Sequence, residues 1–186
     1  MFQTPSFEGF PQLETANLRL RRLQSSDADA VFRIFSDEEV TRYYDFDTFV
    51  SVSQAVDLIT RQANRFELGE GIRWGITQKA DNIVIGTCGY VYSKQNAQGG
   101  IGYDLGRSYW RRGIMSEALQ LVIRFGFKTL RFNRIQALVI PGNVASVKLL
   151  LKLGFKEEGT LRDYAFVRGQ YHDLRCFSKL KRDYPK

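Results

Sequence analysis

The sequence predicts one α/β domain built on a mixed, mostly antiparallel central sheet flanked by helices. The first observation is the order of the apolar patterns: segments of period two and segments of helical spacing follow one another as β, α, α, β, β, β, α, β, α, β, β. The second is size, because 186 residues with 44% hydrophobic content can bury a single core. No repeat, linker or low-complexity block interrupts the chain. We therefore expect an extended arm over residues 1–16 and a single domain over residues 17–186.

The first third of the chain predicts one strand and two helices. Leucines in residues 18–23 alternate with Arg19 and Arg21, which predicts a strand whose arginines point outward. Polar cap signals, at residues 25–27 and again at Ser51 or Ser53, precede two stretches of helical spacing. These two helical stripes run over residues 30–35 and 56–66.

The rest of the chain alternates strands with two further helices. One helix starts near Met115 or Ser116, and the other opens at residues 141–143 and ends at Gly154. The nearly continuous apolar run 135–140 predicts a strand buried on both faces. The other predicted strands cover residues 73–77, 83–92 and 100–105, and a final hairpin joins residues 160–167 to residues 171–180.

Charge and composition narrow the class of ligand. The net charge of +7 favours an anionic ligand or partner without choosing among nucleic acid, a phosphorylated cofactor and an acidic protein. The chain has one histidine, His172, and no cluster of cysteine and histidine, so we expect no metal site. Cys88 and Cys176 lie in apolar runs and are expected to be buried thiols. No segment resembles a signal peptide or a membrane span, so we expect a cytoplasmic protein without a membrane partner.

Residues 100–130 contain the most informative pattern. An apolar segment, Ile101–Leu105, leads into a basic turn, Arg107–Gly113, and then into the long helix. The first N–H groups of a helix have no partner within it, and the helix dipole attracts anions to them. Gly113 lets a phosphate approach this backbone closely. The turn therefore predicts an anion site whose donors come from Arg111, Arg112, Gly113, Ile114, Met115 and Ser116.

Further motifs follow in order along the chain. Trp110-Arg111-Arg112-Gly113 opens the long helix, Asn143-x-x-Ser146 opens the next, and Arg168-Gly169-x-Tyr171-His172-Asp173 closes the chain. With the opening Leu18-x-Leu20-Arg21, they resemble the GCN5-related N-acetyltransferase (GNAT) superfamily. The branch that they resemble is the RimJ/RimL type, which acetylates ribosomal protein N-termini. Met115 stands where that family usually has Gly or Ala, a change that keeps the backbone N–H. The resemblance covers nearly the whole chain.

This resemblance implies a fold and a cofactor. The expected fold is the single-domain GNAT fold, in which two strands splay apart and acetyl-CoA lies between them as cosubstrate. A strand edge can pair with the two amides of the pantetheine arm, and the basic turn can hold the pyrophosphate. A homodimer is left open. The implied cofactor-binding residues are Tyr103, Asp104, Leu105, Arg111, Arg112, Gly113, Ile114, Met115, Ser116 and Asn143.

The same resemblance proposes catalytic residues. Asn143 would contact the coenzyme arm, and Ser146 would give a proton or a hydrogen bond to the departing thiolate; the alternative is that both only cap their helix. A backbone N–H near Leu105 or Gly106 would polarise the thioester carbonyl. Some relatives use a glutamate as base where this chain has Ala165, so we count its neighbour Tyr164 as a candidate.

Two answers remain for the missing base. Water or another acid, Asp45, Asp104 or Asp163, would accept the proton, or little base is needed because the acceptor is an α-amine. The pKa of an α-amine is about 7.7–8.0, against about 10.4 for lysine. His172 is more often a structural histidine in such a strand than a base. For the aromatic residues Tyr43, Tyr44, Phe46 and Phe49, an acceptor pocket and simple core packing are equally good interpretations.

The first functional hypothesis is a protein N-terminal acetyltransferase that attacks acetyl-CoA directly, with a ribosomal protein N-terminus as the leading acceptor. The second is an acetyltransferase for a small amine, such as an aminoglycoside, a polyamine or an amino acid. The third is a non-catalytic acyl-CoA-binding module, which the missing glutamate favours. Direct nucleic-acid binding is not expected, because the aromatic residues do not interleave with basic ones.

Overall fold

The computed structural model describes residues 7–184 and has the predicted α/β architecture. Its order matches the predicted one, with a short strand added at the start and a one-turn helix added after the first helix. The elements are β1 (Leu13–Glu14), β2 (Leu18–Arg22), α1 (Ala28–Phe35), α2 (Glu38–Thr41), α3 (Val52–Glu67), β3 (Gly71–Gln78), β4 (Val84–Ser93), β5 (Gln98–Leu105), α4 (Ile114–Lys128), β6 (Arg134–Val139), α5 (Val144–Lys152), β7 (Lys156–Val167) and β8 (Gln170–Leu180).

One eight-stranded sheet runs through the described residues in the order β1-β2-β3-β4-β5-β6-β8-β7. All neighbours are antiparallel except β5 and β6, which are parallel. That parallel pairing covers only Gln98–Gly100 against Arg134–Gln136, after which the two strands no longer pair. The sheet therefore opens at its centre, as the resemblance implied.

Two apolar clusters hold the domain together. The larger one packs α4 and α5 on the sheet, with Trp74 and Phe132 among its fully buried side chains. The smaller one joins α1 and α3 and includes Phe35 and Phe49. Because side chains alternate along a strand, Arg73 of β3 points away from its neighbours Ile72 and Trp74 of the larger cluster.

Several local predictions need correction. Arg21 does not point into solvent: its guanidinium is buried and makes two hydrogen bonds of 2.8 Å to the carboxylate of Asp27. Asp27 therefore lies in a short 3-10 turn instead of capping α1 with its side chain. Strand β6 is not buried on both faces, since Leu138 points to the open side and is 36% exposed. This strand forms one wall of a cleft.

The predicted arm lies against the domain where it is described. Residues 1–6 of that arm lie outside the described residues, but Phe7 and Phe10 pack on the larger cluster, and Leu13 pairs with Leu20. Both cysteines are buried free thiols, and burial raises the pKa of Cys88 to about 12. Among residues 7–184, no helix is long and apolar enough to cross a membrane.

Candidate active site

The divergence of β5 from β6 creates a cleft of about 930 Å³. One wall is the edge of β5 from Ile101 to Leu105, and the opposite wall is Ala137–Ile140. No strand of the described residues pairs with this edge of β5 beyond Gly100. An unpaired strand edge offers backbone donors and acceptors to a ligand that carries amides.

The N-terminus of α4 lies at the end of this cleft. Gly113 precedes the helix with φ of 78°, a left-handed conformation that favours glycine. A Cβ at this position would meet nothing within 4 Å, so the space in front of the backbone is open. Residues 114–116 lie in the first helical turn, where N–H groups have no partner within the helix. These free N–H groups line the cleft, and the predicted anion site at this turn stays a prediction.

Most of the charged side chains that line the cleft are basic. They include Arg42, Arg111, Lys148 and Lys152, and the two lysines lie one helical turn apart on α5. These two lysines were not among the predicted residues, although their spacing of four residues on α5 was a usable signal. A cleft with an open strand edge, free helix N–H groups and basic side chains fits a long cofactor that carries amides and phosphates. The residues therefore fit coenzyme A.

Most predicted cofactor-binding residues line the cleft, and one does not. Arg112 lies outside the lining, and its guanidinium carbon is 5.8 Å from the centre of the Tyr109 ring. Met115 and Ser116 have buried side chains, so they face the cleft chiefly with backbone. The predicted residues brought together are Tyr103, Asp104, Leu105, Arg111, Gly113, Ile114, Met115, Ser116, Asn143 and Ser146.

Asn143 and Ser146 occupy the start of α5. The Asn143 side-chain oxygen accepts a hydrogen bond of 3.1 Å from the Ser146 N–H, which is a helix cap. The Ser146 hydroxyl is left available for a second contact, and its oxygen lies 2.6 Å from the Tyr103 hydroxyl oxygen. Burial raises the pKa of Tyr103 to about 12, so this phenol stays protonated at neutral pH. Ser146 therefore takes part in the helix cap through its backbone and in a hydroxyl pair with Tyr103 through its side chain.

Other predicted catalytic groups lie elsewhere. Tyr164, on β7, is 57% exposed and does not line the cleft. His172 pairs with Ala165 in the final hairpin and does not line it either. The Gly106 N–H donates to the Ile85 carbonyl at 2.8 Å, so this donor is already engaged. Of the two backbone N–H groups that were predicted to polarise the thioester carbonyl, the one of Leu105 therefore stays the candidate.

A buried polar network lies beneath the β5 edge. The Asp104 carboxylate accepts hydrogen bonds from the Thr87 N–H (2.9 Å), the Thr87 hydroxyl (2.6 Å) and the Arg73 guanidinium (2.5 Å). The Tyr44 hydroxyl lies 3.1 Å from Asp104 Oδ2 and 3.2 Å from the Tyr103 carbonyl oxygen. Burial raises the pKa of Tyr44, which keeps this phenol as a donor. An arginine in the middle of a buried strand was the sequence signal for this network, and it was missed.

The candidate bases differ in their surroundings. Asp104 is fully engaged by its partners in the network. Asp163 lies on exposed β7, and Asp45 lines a smaller cavity next to the cleft. The aromatic residues also divide, since Tyr43 and Tyr44 line the cleft, Phe46 lines the smaller cavity and Phe49 is a core residue. Core packing is therefore confirmed for Phe49, and an acceptor pocket lined by the other three stays a prediction.

The hairpin of β7 and β8 contacts the end of α2 and the segment that follows it. Arg168, at its tip, donates to the carbonyl oxygens of Thr41 (3.3 Å) and Phe46 (3.4 Å). These contacts join the hairpin to the loop after α2. Among the described residues, no group of three or more His, Cys, Asp or Glu could hold a metal ion.

Comparisons with known proteins agree with this geometry. Residues 17–156 match the family model described as an acetyltransferase (GNAT) domain. The chain is 45% identical over 174 residues to the uncharacterized N-acetyltransferase p20 of Bacillus licheniformis, covering 92% of this chain and 97% of that protein. It is 40% identical over 173 residues to the uncharacterized N-acetyltransferase YoaA of Bacillus subtilis, covering 92% and 98%.

Two solved structures share the fold. Ribosomal-protein-S5-alanine acetyltransferase from Vibrio fischeri superposes with a TM-score of 0.80 at 25% identity, covering 95% of this chain and 100% of that one. RimL, a ribosomal L7/L12 alpha-N-protein acetyltransferase in complex with coenzyme A, gives a TM-score of 0.82 at 20% identity, covering 91% and 98%. The second structure shows the fold with this coenzyme bound.

Proposed function

The chain belongs to the GNAT acetyltransferase family, and from that premise we propose that it acetylates the α-amine of a protein N-terminus. It is an N-acetyltransferase with acetyl-CoA as cosubstrate and an amine as acceptor. The identity of the amine is the proposal. The names of two structural neighbours place their activity on ribosomal proteins, so a ribosomal protein N-terminus is the first acceptor to test.

One observation supports an α-amine over a lysine. Both carboxylates that line the cleft are paired with arginines: Asp104 with Arg73, and Glu39 with Arg42. Each carboxylate is already occupied by a guanidinium, so neither one is free to accept the proton of an attacking amine. An amine attacks only when it is neutral, and an α-amine, with a pKa of about 7.7–8.0, loses its proton far more readily than lysine at about 10.4. Such a site suits an acceptor whose amine loses its proton without a strong base.

The proposed mechanism is direct attack. Acetyl-CoA supplies, when bound, the thioester carbonyl that the amine attacks and the thiolate that leaves. As the C–N bond forms and the C–S bond breaks, Ser146 would give its hydroxyl proton to the thiolate and regain a proton from the acetylated nitrogen. The 2.6 Å contact with Tyr103 would hold the Ser146 hydroxyl in place. The β5 edge would hold the pantetheine amides, and the turn around Gly113 would hold the pyrophosphate. We propose that this reaction takes place in the cytoplasm, where both buried thiols stay reduced.

A pair of matched peptides tests the choice of amine. One peptide has a free α-amine and an acetylated lysine side chain, and the other has an acetylated N-terminus and a free lysine. Thiol release from acetyl-CoA is followed at pH 7 to 9, with the mass of each product. We expect the free α-amine to be acetylated at least tenfold faster at pH 7, a factor well within the pKa difference between the two amines.

The same thiol-release assay is run with an aminoglycoside and a polyamine as acceptors. Faster acetylation of either one, or of the lysine peptide, would overturn the proposal in favour of the second hypothesis. A rate on the α-amine peptide that rises with pH and levels off near the pKa of the amine supports titration of the acceptor itself.

A further inference from the structure

A second cavity of about 430 Å³ lies beside the cleft, between α1, α3 and the sheet. Tyr44 and Arg73 line both spaces, so the cavity meets the cleft at the buried network beneath β5. Neither the family assignment nor the cofactor accounts for this cavity. It lies on the opposite face of β3 from the cluster that packs α4.

Arginines dominate its polar lining. Arg61 and Arg65 lie four residues apart on α3 and so project from one side of the helix. Neither one forms an ion pair with any carboxylate among residues 7–184, whereas the third arginine, Arg73, is neutralised by Asp104. Asp45 is the acid that lines the cavity. The cavity therefore carries one positive charge in excess.

Arg65 is held in place by its surroundings. A Cβ on Gly71 would lie 2.7 Å from Arg65 Cδ, so the glycine leaves the space that the arginine stem fills. The Arg65 guanidinium also reaches the side-chain oxygen of Gln62 at 3.4 Å. Because its stem is packed and its guanidinium has no carboxylate partner, Arg65 loses little side-chain freedom when it binds an anion.

The other walls are apolar. Phe35, Phe46 and Leu58 line the cavity together with the arginines. Apolar walls with a few charged groups are the usual composition of a small-ligand site, and they strengthen charge-assisted hydrogen bonds. A short acidic side chain has both parts, since its methylene groups suit the walls and its carboxylate suits the guanidinium fork.

We propose that this cavity selects the acceptor by binding an acidic group close to the amine that is acetylated, with Arg61 and Arg65 as its ligands. The proposal rests on the proposed function, because it assigns the acceptor of that reaction. Tyr44 and Arg73 line both spaces, so the cavity adjoins the cleft in which the amine would react. A carboxylate and a phosphate share this chemistry, so the test includes both.

The test uses the full chain and peptides that differ in one of the first two residues. The acidic members carry Asp, Glu or phosphoserine, and their neutral counterparts carry Asn, Gln or Ser. We expect kcat/KM to favour the best acidic peptide over its counterpart by about tenfold, the size of one charge-assisted hydrogen-bond pair. Whether Asp and Glu or phosphoserine gives the larger ratio identifies the anion.

The variant Arg61→Gln/Arg65→Gln should reduce this ratio to about one and leave the dissociation constant of coenzyme A unchanged. Arg124→Gln is the matched control, because Arg124 is an exposed helical arginine on α4 that forms no ion pair with the described residues. It should keep the full preference. An unchanged preference in the double variant, or no preference in the wild-type protein, overturns the proposal.

Direct binding separates this proposal from the proposed function. Calorimetric titration of the acidic and neutral peptides into the protein with desulfo-coenzyme A needs no turnover. Tighter binding of the acidic peptide that is lost in the double variant supports the cavity even if no peptide is acetylated, which would refute only the proposed function. Equal binding of both peptides, together with acetylation of both, would leave the proposed function standing and refute the acidic site.

Discussion

The Tyr103 hydroxyl oxygen lies 2.6 Å from Ser146 Oγ, which joins strand β5 to helix α5 across the cleft. The contact orients a serine whose backbone N–H is already held by Asn143. The cap thus holds the Ser146 backbone, and the Tyr103 contact holds its hydroxyl oxygen at the cleft, where a positioned hydroxyl can take part in proton transfer. This pair connects β5 to the helix that follows β6, across the opening between the two strands.

The Ser146→Ala variant should lose most of the turnover and little of the coenzyme affinity. General acid catalysis contributes about 10²–10⁴-fold to a rate, so we expect kcat to fall by roughly 100-fold. The measurement is steady-state thiol release, with calorimetric titration of coenzyme A as the affinity readout. A variant that binds coenzyme A normally and retains most of its kcat would show that the serine only caps the helix.

The Tyr103→Phe variant tests the hydrogen bond itself. If the phenol acts by orienting Ser146, kcat should fall less than for the serine variant, by roughly tenfold. The double variant should then be no slower than Ser146→Ala alone, because both changes remove one unit of function. Additive losses in kcat would instead show that the two hydroxyls act independently.

The Gly113→Ala variant should weaken coenzyme A binding. Its backbone has φ of 78°, so alanine costs about 1 kcal/mol of stability wherever nothing blocks the new methyl group. Gly169→Ala is a matched control, with φ of 81° and likewise no atom within 4 Å of an added Cβ. Both variants should lose similar unfolding free energy, measured by urea denaturation, and only Gly113→Ala should raise the dissociation constant, by at least tenfold. Equal affinities would show that the anion does not approach this glycine.

Much of this site could be predicted because its signals are local. The turn before α4, the cap Asn143 and the order of strands depend on residue types at short spacing, and the structure places them as expected. Backbone conformation also follows from local sequence, as the glycine at the helix start shows.

The contacts across the sheet could not be predicted. Arg73 meets Asp104 and Arg21 meets Asp27 because of strand register and the packing of a 3-10 turn, which the pattern of one strand does not specify. Tyr164 was selected for its place next to Ala165, but its strand β7 lies at the edge of the sheet and leaves the side chain exposed. The place of Tyr164 next to Ala165 in the sequence did not predict whether its side chain lines the cleft.

The Asp104→Asn variant should destabilise the domain strongly. The Arg73 side chain is 19% exposed and the Asp104 side chain is 0% exposed, so the change leaves a guanidinium without its counter-ion in a largely buried place. Removing one partner of such a pair costs about 3 kcal/mol. Asp57→Asn, at an exposed position of α3, should change stability by less than about 0.5 kcal/mol. Urea denaturation measures both, and a loss below about 1 kcal/mol for Asp104→Asn would contradict a structural role for the network.

The contribution of Glu158 to stability should depend on pH in a defined direction. Hydrogen bonds from Arg134 and Ser178 lower the pKa of Glu158 to about 2 in the folded protein, against about 4.3 in an unfolded chain. A lowered carboxylate pKa adds stability that is present above about pH 4.3 and is lost as the pH falls towards 2.

Since the Glu158 side chain is 40% exposed, we expect Glu158→Gln to cost less than about 1 kcal/mol at pH 7. The difference from the wild-type protein in urea denaturation should shrink below about pH 4.3. The control Glu70→Gln, at an exposed position, should leave stability nearly unchanged at pH 7. A Glu158→Gln deficit that stays constant down to pH 3 would mean that the glutamate stabilises the hairpin by packing and not through its charge.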